Sequence, residues 1–412
     1  MRLGHPDGQT VHLSYCTNVH PAEDLAGVLD QLDTYALPIR HRLDADVLGL
    51  GLWLAAPLAA ALAADPGARI RLRAELDARG LEVVTLNGFP YRAFQAPVVK
   101  HDVYRPDWTE PGRLAYTLDL ARVLTDLLPS DAARGSISTL PLAWREPWDT
   151  GRAGTTARTL DRLAAGLAAV ERESGRVIRV GFEPEPGCVV ETTRQAVHLL
   201  SDMDTERLGV CLDLAHLACA WEDPPVAVRR LAAAGLPVVK VQISAALEAG
   251  DPVAAADRLA EYVEPRFLHQ TRSAAVAEPD PADPAHAADD LDDALVRGLP
   301  GPWRVHYHVP LHAVPEPPLR STVPVLRSAL AELLGGPTAG CDTYDVETYT
   351  WGVLPVARRP GTAAELADGI AAELAFARDE LTGLGLTPTE AGAVRAGSTE
   401  AGAVASGGKV VS

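Results

Sequence analysis

The chain has 412 residues, and its 37 Lys and Arg against 55 Asp and Glu give a net charge of −18 and a pI near 5.1. That balance excludes a broad nucleic-acid footprint, which needs clustered cations, although a local pocket on an acidic protein can still be positive. A hydrophobic fraction of 47% with mean hydropathy +0.02 fits a soluble globular chain with a sizeable core.

The N-terminal stretch M-R-L-G-H-P-D-G-Q-T has no apolar signal region. The first strand-like run is His12–Cys16, followed by a helical pattern over Ala22–Tyr35. Leu48–Ala64 is apolar, but Gly49, Gly51 and Pro57 interrupt it, so it reads as a strand (Leu48–Leu54) and a core helix rather than a membrane span. Further strand-like runs are Glu82–Leu86, Ser136–Leu140, Val177–Glu183, Leu208–Asp213, Val238–Ile243, Arg304–Val309 and Tyr344–Tyr349. Helical patterns separate most of them: Ala68–Arg79, Arg113–Leu128, Thr156–Ser174, Thr192–Met203, Pro225–Ala234, Ala254–Tyr262, Leu319–Leu334 and Thr362–Leu381. Such alternation predicts βαβ units, and about eight of them close into a parallel (β/α)8 TIM barrel. Nine strand runs are one too many. The surplus falls near residues 273–302, rich in Ala, Asp and Pro, which read as a flexible insertion within a barrel spanning 1–386. The long aromatic loop from Phe89 to Pro111 reads as a lid or binding loop. Residues 387–412, with E-A-G-A-V at Glu390 and Glu400, read as a disordered tail. The five cysteines, with no C-x-x-C spacing, predict reduced thiols in a cytoplasmic protein.

Three acidic residues stand near the ends of strand runs: Glu183 in V-G-F-E-P-E-P-G, Asp213 in V-C-L-D-L-A-H and Glu347 in Y-D-V-E-T-Y. A buried carboxylate is costly without a partner, and barrels build their sites at the C-terminal ends of strands. Pro184 and Pro186 stop the ladder where Glu183 is presented, and Glu185 shares its face as a substrate-facing group. His216, three residues after Asp213, can turn toward the same place, although a helix-capping Asp with an unrelated His has the same spacing. Lys240, Gln242 and Ser244 alternate onto one face of their run, as do His306 and His308, with His312 following. H-x-H on a strand is a common metal-ligand geometry, yet histidines are often partly buried without any role. Together the groups describe one site for a divalent cation, Mg²⁺ or Mn²⁺ for an oxygen set, Zn²⁺ or Co²⁺ if His308 binds. Asp345 reads as an ion-pair partner deeper in the barrel.

At these residues the chain resembles the xylose-isomerase-like TIM-barrel superfamily of sugar isomerases, epimerases and endonuclease-IV-type enzymes. F-E-P-E-P-G looks like the metal-binding strand-five segment of xylose isomerases, C-L-D-L-A-H like their acid-x-x-His strand, and H-Y-H-V and D-V-E-T-Y like strands seven and eight of ketose 3-epimerases. The segments L-S-Y-C-T-N-V-H-P, L-N-G-F-P-Y, V-Y-R-P-D-W, G-S-I-S-T-L-P and V-K-V-Q-I-S are similar to the EboE family of metabolite-traffic proteins. The resemblance implies ligands Glu183, Asp213 and Glu347, with a fourth from Gln242 or His308, because Gln242 stands where the epimerases carry a histidine. Strands two and three lack the extra histidines of a three-zinc nuclease.

The expected activity is a metal-dependent isomerase or epimerase acting by proton transfer on a small polyhydroxylated or phosphorylated metabolite. Glu183 and Glu347 exchange the proton and His216 orients the carbonyl oxygen. Asn87, Arg105, Glu185, Lys240 and His306 contact substrate. Two alternatives stay open: a non-catalytic binding or scaffolding barrel that hands a product to membrane-protein partners of an export pathway, and a metal-dependent hydrolase or lyase.

Overall fold

The computed structural model describes residues 1–274 and 283–389. Eight parallel strands close into a barrel: β1 (Thr10–Cys16), β2 (Leu48–Trp53), β3 (Leu81–Asn87), β4 (Gly135–Thr139), β5 (Ile178–Phe182), β6 (Leu208–Asp213), β7 (Val238–Ile243) and β8 (Thr343–Val346). Each pairs with the next, and β8 closes the ring on β1 with Thr343 opposite His12 and Val346 opposite Tyr15. These strands are apolar runs buried on both faces, as a parallel sheet sheathed by helices requires. The chain's outer edge is finished by Arg2–Gly4, antiparallel to β1 and to Thr387–Pro388. The two residues at the start of the expected tail therefore belong to the barrel's edge. The rest of that tail, from residue 390, lies outside the described residues.

Helices start where acidic or hydroxyl side chains cap free N–H groups. Asp65, Asp149, Asp223 and Thr362 each accept from a backbone N–H in the first turn, and Thr192 with Gln195 forms a capping box. The helix expected over Ala22–Tyr35 runs further, through a π turn at Leu32–Ala36 into Leu37–Arg42. Pro38 withholds an N–H just beyond that turn, which interrupts the regular ladder.

Inside the barrel, Lys240 Nζ meets Asp345 Oδ2 at 2.9 Å, and Ser14 Oγ donates to Asp345 Oδ1 at 2.6 Å. Both ions are fully buried. Gly51 on β2 makes room for them: a Cβ there would lie 1.9 Å from Asp345 Oδ2. Lys240 is thus a structural ion beneath the site, not the substrate contact expected of it. All five cysteines are buried and unpaired.

The surplus strand run has a different fate from the one expected. Between β7 and β8 the chain builds a second, wholly antiparallel sheet from Leu247–Ala249, Thr271–Ser273, Ala287–Ala288, Trp303–Val305 and Leu319–Ser321. The insertion is therefore larger than residues 273–302, and most of its sheet is buried; residues 275–282 lie outside the described residues. Arg304–Val309 contributes two residues, Arg304 and Val305, to this side sheet and none to the barrel. A bidentate pair between Arg272 and Glu191, both buried, ties the insertion to the loop after β5. Among the described residues no helix is long and apolar enough to cross a membrane.

Candidate metal centre

At the C-terminal ends of the strands, Glu183 follows β5 and Asp213 ends β6; Glu347 follows β8. All three are at most 5% exposed. His308 arrives from the insertion, just beyond Trp303–Val305, and is fully buried. Its Nδ1 lies 2.8 Å from the backbone carbonyl of Glu347. A carbonyl only accepts, so the proton sits on Nδ1, and Nε2 presents its lone pair. That Nε2 lies 3.8 Å from Asp213 Oδ2.

The neighbouring atoms share one property. Glu183 Oε2, Asp213 Oδ2, His308 Nε2 and both amide atoms of Gln242 are buried without a hydrogen-bond partner. Native interiors rarely leave such atoms unpaired. Asp213 spends its other oxygen on the His216 N–H and the Ser244 hydroxyl, each at 2.8 Å. Glu347 Oε1 accepts from Asn18 at 2.6 Å and Asn87 at 3.0 Å. Ligand-capable atoms of Asp213, His308 and Glu347 lie within 4.8 Å of one another, as do those of Glu183, Asp213 and His216. Carboxylates with one neutral imidazole fit a divalent cation of the Mn²⁺, Mg²⁺, Zn²⁺ or Co²⁺ kind.

Electrostatics point the same way. Burial, then the charges of Glu347 and Asp213, push the Glu183 carboxyl well above its usual range. Burial followed by Asp213 raises Glu347 to about 8. Burial holds His216 at about 4 and lowers His308 as well. Repelling carboxylates beside uncharged imidazoles make a site that a cation relieves.

A second layer runs beside this cluster. Tyr104 donates to Glu185 Oε1 at 2.7 Å and accepts from Gln270 at 2.8 Å. The Gln270 amide meets His306 Nδ1 at 2.7 Å, and His306 Nε2 lies 2.9 Å from His216 Nε2. His216 Nδ1 donates to the Pro184 carbonyl, at 3.0 Å. With Nδ1 protonated on both histidines, two lone pairs would face each other. Turning the Gln270 amide over lets His306 donate from Nε2 instead; Tyr104 then donates to the Gln270 oxygen and accepts from Glu185, whose carboxyl burial pushes well above its usual range.

Of the residues singled out in the sequence, Glu183, Glu185, His216, His306, Glu347 and Asn87 line one cleft. Asp213, Gln242 and His308 sit behind them, fully buried. Arg105 is not brought there: its side chain is 67% exposed and faces Glu110. His312 is also elsewhere, stacked on Trp351. Sequence reading missed Asn18, Tyr104, Gln270 and Tyr349. Asn18 lay within the T-N-V-H segment that carried the resemblance; Gln270 had no local signal.

The fold and this site together define a parallel β/α barrel with an acidic cluster that could hold a metal ion at its C-terminal end. A family model described as Xylose isomerase-like TIM barrel matches residues 43–261, and the chain belongs to that family. No curated protein matches the chain. Among solved structures, D-psicose 3-epimerase of Clostridium cellulolyticum H10 in complex with D-tagatose is 14% identical with a TM-score of 0.49, covering 90% of this chain and 99% of that one. A xylose isomerase-like TIM barrel protein from Mycobacterium smegmatis in complex with magnesium is 14% identical, with a TM-score of 0.48 and coverage of 90% and 98%. The probable 3-DHS dehydratase AsbF of Bacillus anthracis is 12% identical, with a TM-score of 0.46 and coverage of 89% and 98%.

Proposed function

We propose that the protein is a metal-dependent isomerase or epimerase that moves a proton at a carbon beside a carbonyl of a small polyhydroxylated metabolite. One observation carries this reading: Glu183, Asp213, Gln242 and His308 each keep a buried polar atom without a hydrogen-bond partner, and His308 Nε2 lies 3.8 Å from Asp213 Oδ2. Glu183, Asp213, Glu347 and His308 would hold the metal, with Gln242 beside them. A bound divalent cation supplies Lewis-acid polarisation of substrate oxygens.

The chain's own groups supply the rest. Glu183 and Glu347 come from strands on different sides of the barrel mouth, so one takes the proton and the other returns one to the opposite face. Asn18 and Asn87 fix the direction of Glu347 through its Oε1. His216, anchored by the Pro184 carbonyl, orients the substrate oxygen. A place in metabolite traffic, as in EboE proteins, is part of the proposal and is supported by the quoted segments alone.

The test pairs elemental analysis with isotope exchange. Purified protein should carry about one divalent ion per chain, and a panel of ketoses and cyclic polyols in D₂O should yield a substrate that gains carbon-bound deuterium. Glu183→Gln and Glu347→Gln should abolish the exchange. Metal-free protein that cannot be loaded, together with variants that behave as wild type in cells, would sink the reading.

A further inference from the structure

The donor cluster opens into a cleft of about 490 Å³, its solvent-open mouth included. The cleft's floor and walls differ in chemistry. Glu183, Glu185, His216, His306 and Glu347 make a polar, acidic floor, whereas Phe89, Phe94, Val99, Phe267 and Leu268 stand in the walls. Phe94, Phe267 and Tyr349 form one ring cluster, with centroids 4.8 to 5.3 Å apart. These rings come from three segments: the loop after β3, the insertion and the loop after β8. Backbone bonds from Val99 and Lys100 to the Arg266 carbonyl, at 2.7 and 2.9 Å, hold the first two together.

Charge in the cleft is one-sided. Among the described residues that line it, the lysine or arginine is Lys100, and its ammonium is already paired with Asp290. Arg105 and Lys240, the cations that would have met a phosphate, lie outside the cleft and in the buried barrel ion pair. A phosphorylated substrate would meet an acidic floor and, among the described residues lining the cleft, no free cation to balance its charge. A free sugar would meet a different obstacle. Its outer hydroxyls would lose water against aromatic walls that offer few partners, which costs affinity.

Within the hydroxylated class proposed above, we propose that the substrate is not a free sugar but an uncharged amphipathic metabolite. Its head carries two adjacent oxygens, as in a hydroxyketone or vicinal diol, and reaches the metal ligands. Its body is apolar and ring-bearing or branched, and packs on Phe89, Phe94, Phe267 and Leu268. This assignment rests on the metal-site reading for the head alone; the body's site stands on the wall residues.

The test uses three probes with the same hydroxyketone head: 2-hydroxyacetophenone, hydroxyacetone and dihydroxyacetone phosphate. Full-length protein is titrated calorimetrically with each, after Mn²⁺ loading and again without metal. The phenyl compound should bind about tenfold or more tighter than hydroxyacetone, the effect of burying one ring. Dihydroxyacetone phosphate should bind more weakly than hydroxyacetone. Phe267→Ala should bring the phenyl preference toward one with hydroxyacetone affinity unchanged, and Leu268→Ala, a milder change at the rim, should lower it in part. Equal binding of phenyl compound and hydroxyacetone by the wild type, or tightest binding of the phosphate, overturns the proposal. If Mn²⁺ does not bind, the metal reading fails by itself, and the phenyl preference of the metal-free protein still decides this one.

Discussion

The barrel strands and the inserted antiparallel sheet bring their residues to the site in different ways. Glu183, Asp213 and Glu347 stand at or just beyond the ends of β5, β6 and β8, where strand register alone sets their height. His306 and His308 come from a segment that has already left its own sheet. That segment is held by ties to other parts of the chain: His306 N to Gln270 O at 2.8 Å, Val309 N to Ala245 O at 2.8 Å, and His308 Nδ1 to Glu347 O at 2.8 Å. Glu373, on the C-terminal helix, adds a clamp. It accepts from Leu311 N in the insertion and from Thr348 and Trp351 beside Glu347. The carboxylates thus need only the barrel, whereas the imidazoles need the barrel and the insertion docked together.

The largest effect should come from the barrel side. Lys240→Met leaves Asp345 charged and uncompensated in the interior, which should cost about 3–5 kcal/mol in urea unfolding. A midpoint within error of wild type would show that strand register holds the barrel without that pair.

The clamp between the two regions gives a pH signature. Burial raises the Glu373 carboxyl from its ordinary 4.5 to about 7. The folded protein keeps a proton that the unfolded chain releases near 4.5, so this term is full below that pH and is lost as pH rises toward 7. Its size is about 3 kcal/mol at most. The stability of wild type minus that of Glu373→Gln, measured at steps from pH 4 to 8, should fall by that order. A flat difference would mean the carboxyl titrates normally.

Metal affinity separates the fourth ligand. His308→Ala should weaken Mn²⁺ binding by about 10–100-fold, while Gln242→Ala should change it by less, because Gln242 offers a neutral amide. The reverse order would make the insertion a wall and return the whole ligand set to the barrel. The smallest effect belongs to Arg105→Ala. An exposed side chain facing Glu110 should move neither stability beyond about 0.5 kcal/mol nor metal affinity measurably.

Several elements were legible before the fold was known. Leu208–Asp213 and Val238–Ile243 have the bounds their apolar runs suggested, because a strand buried on both faces leaves little ambiguity, and the N-cap Asp213 also stops the first. Arg304–Val309 misled for the same kind of reason. Its alternation is that of a strand, and alternation does not say which sheet a strand joins. Gln270 and Phe267 gave no signal at all, since nothing in their neighbours along the chain distinguishes a cleft wall from ordinary core, and Tyr104 lay in the aromatic loop and the V-Y-R-P-D-W segment without a role of its own.

By itself, the sequence determined the parallel barrel and the three acidic strand ends, because both are encoded in runs of fewer than ten residues. Tertiary structure alone decided three matters: that Lys240 belongs to Asp345, that Arg105 is outside, and that His308 comes to Asp213 from the insertion rather than from a barrel strand. The first and the last depend on groups far apart in the chain, about 65 residues in the last case between the end of β7 and His308, and contacts over such separations follow from packing rather than from any local pattern.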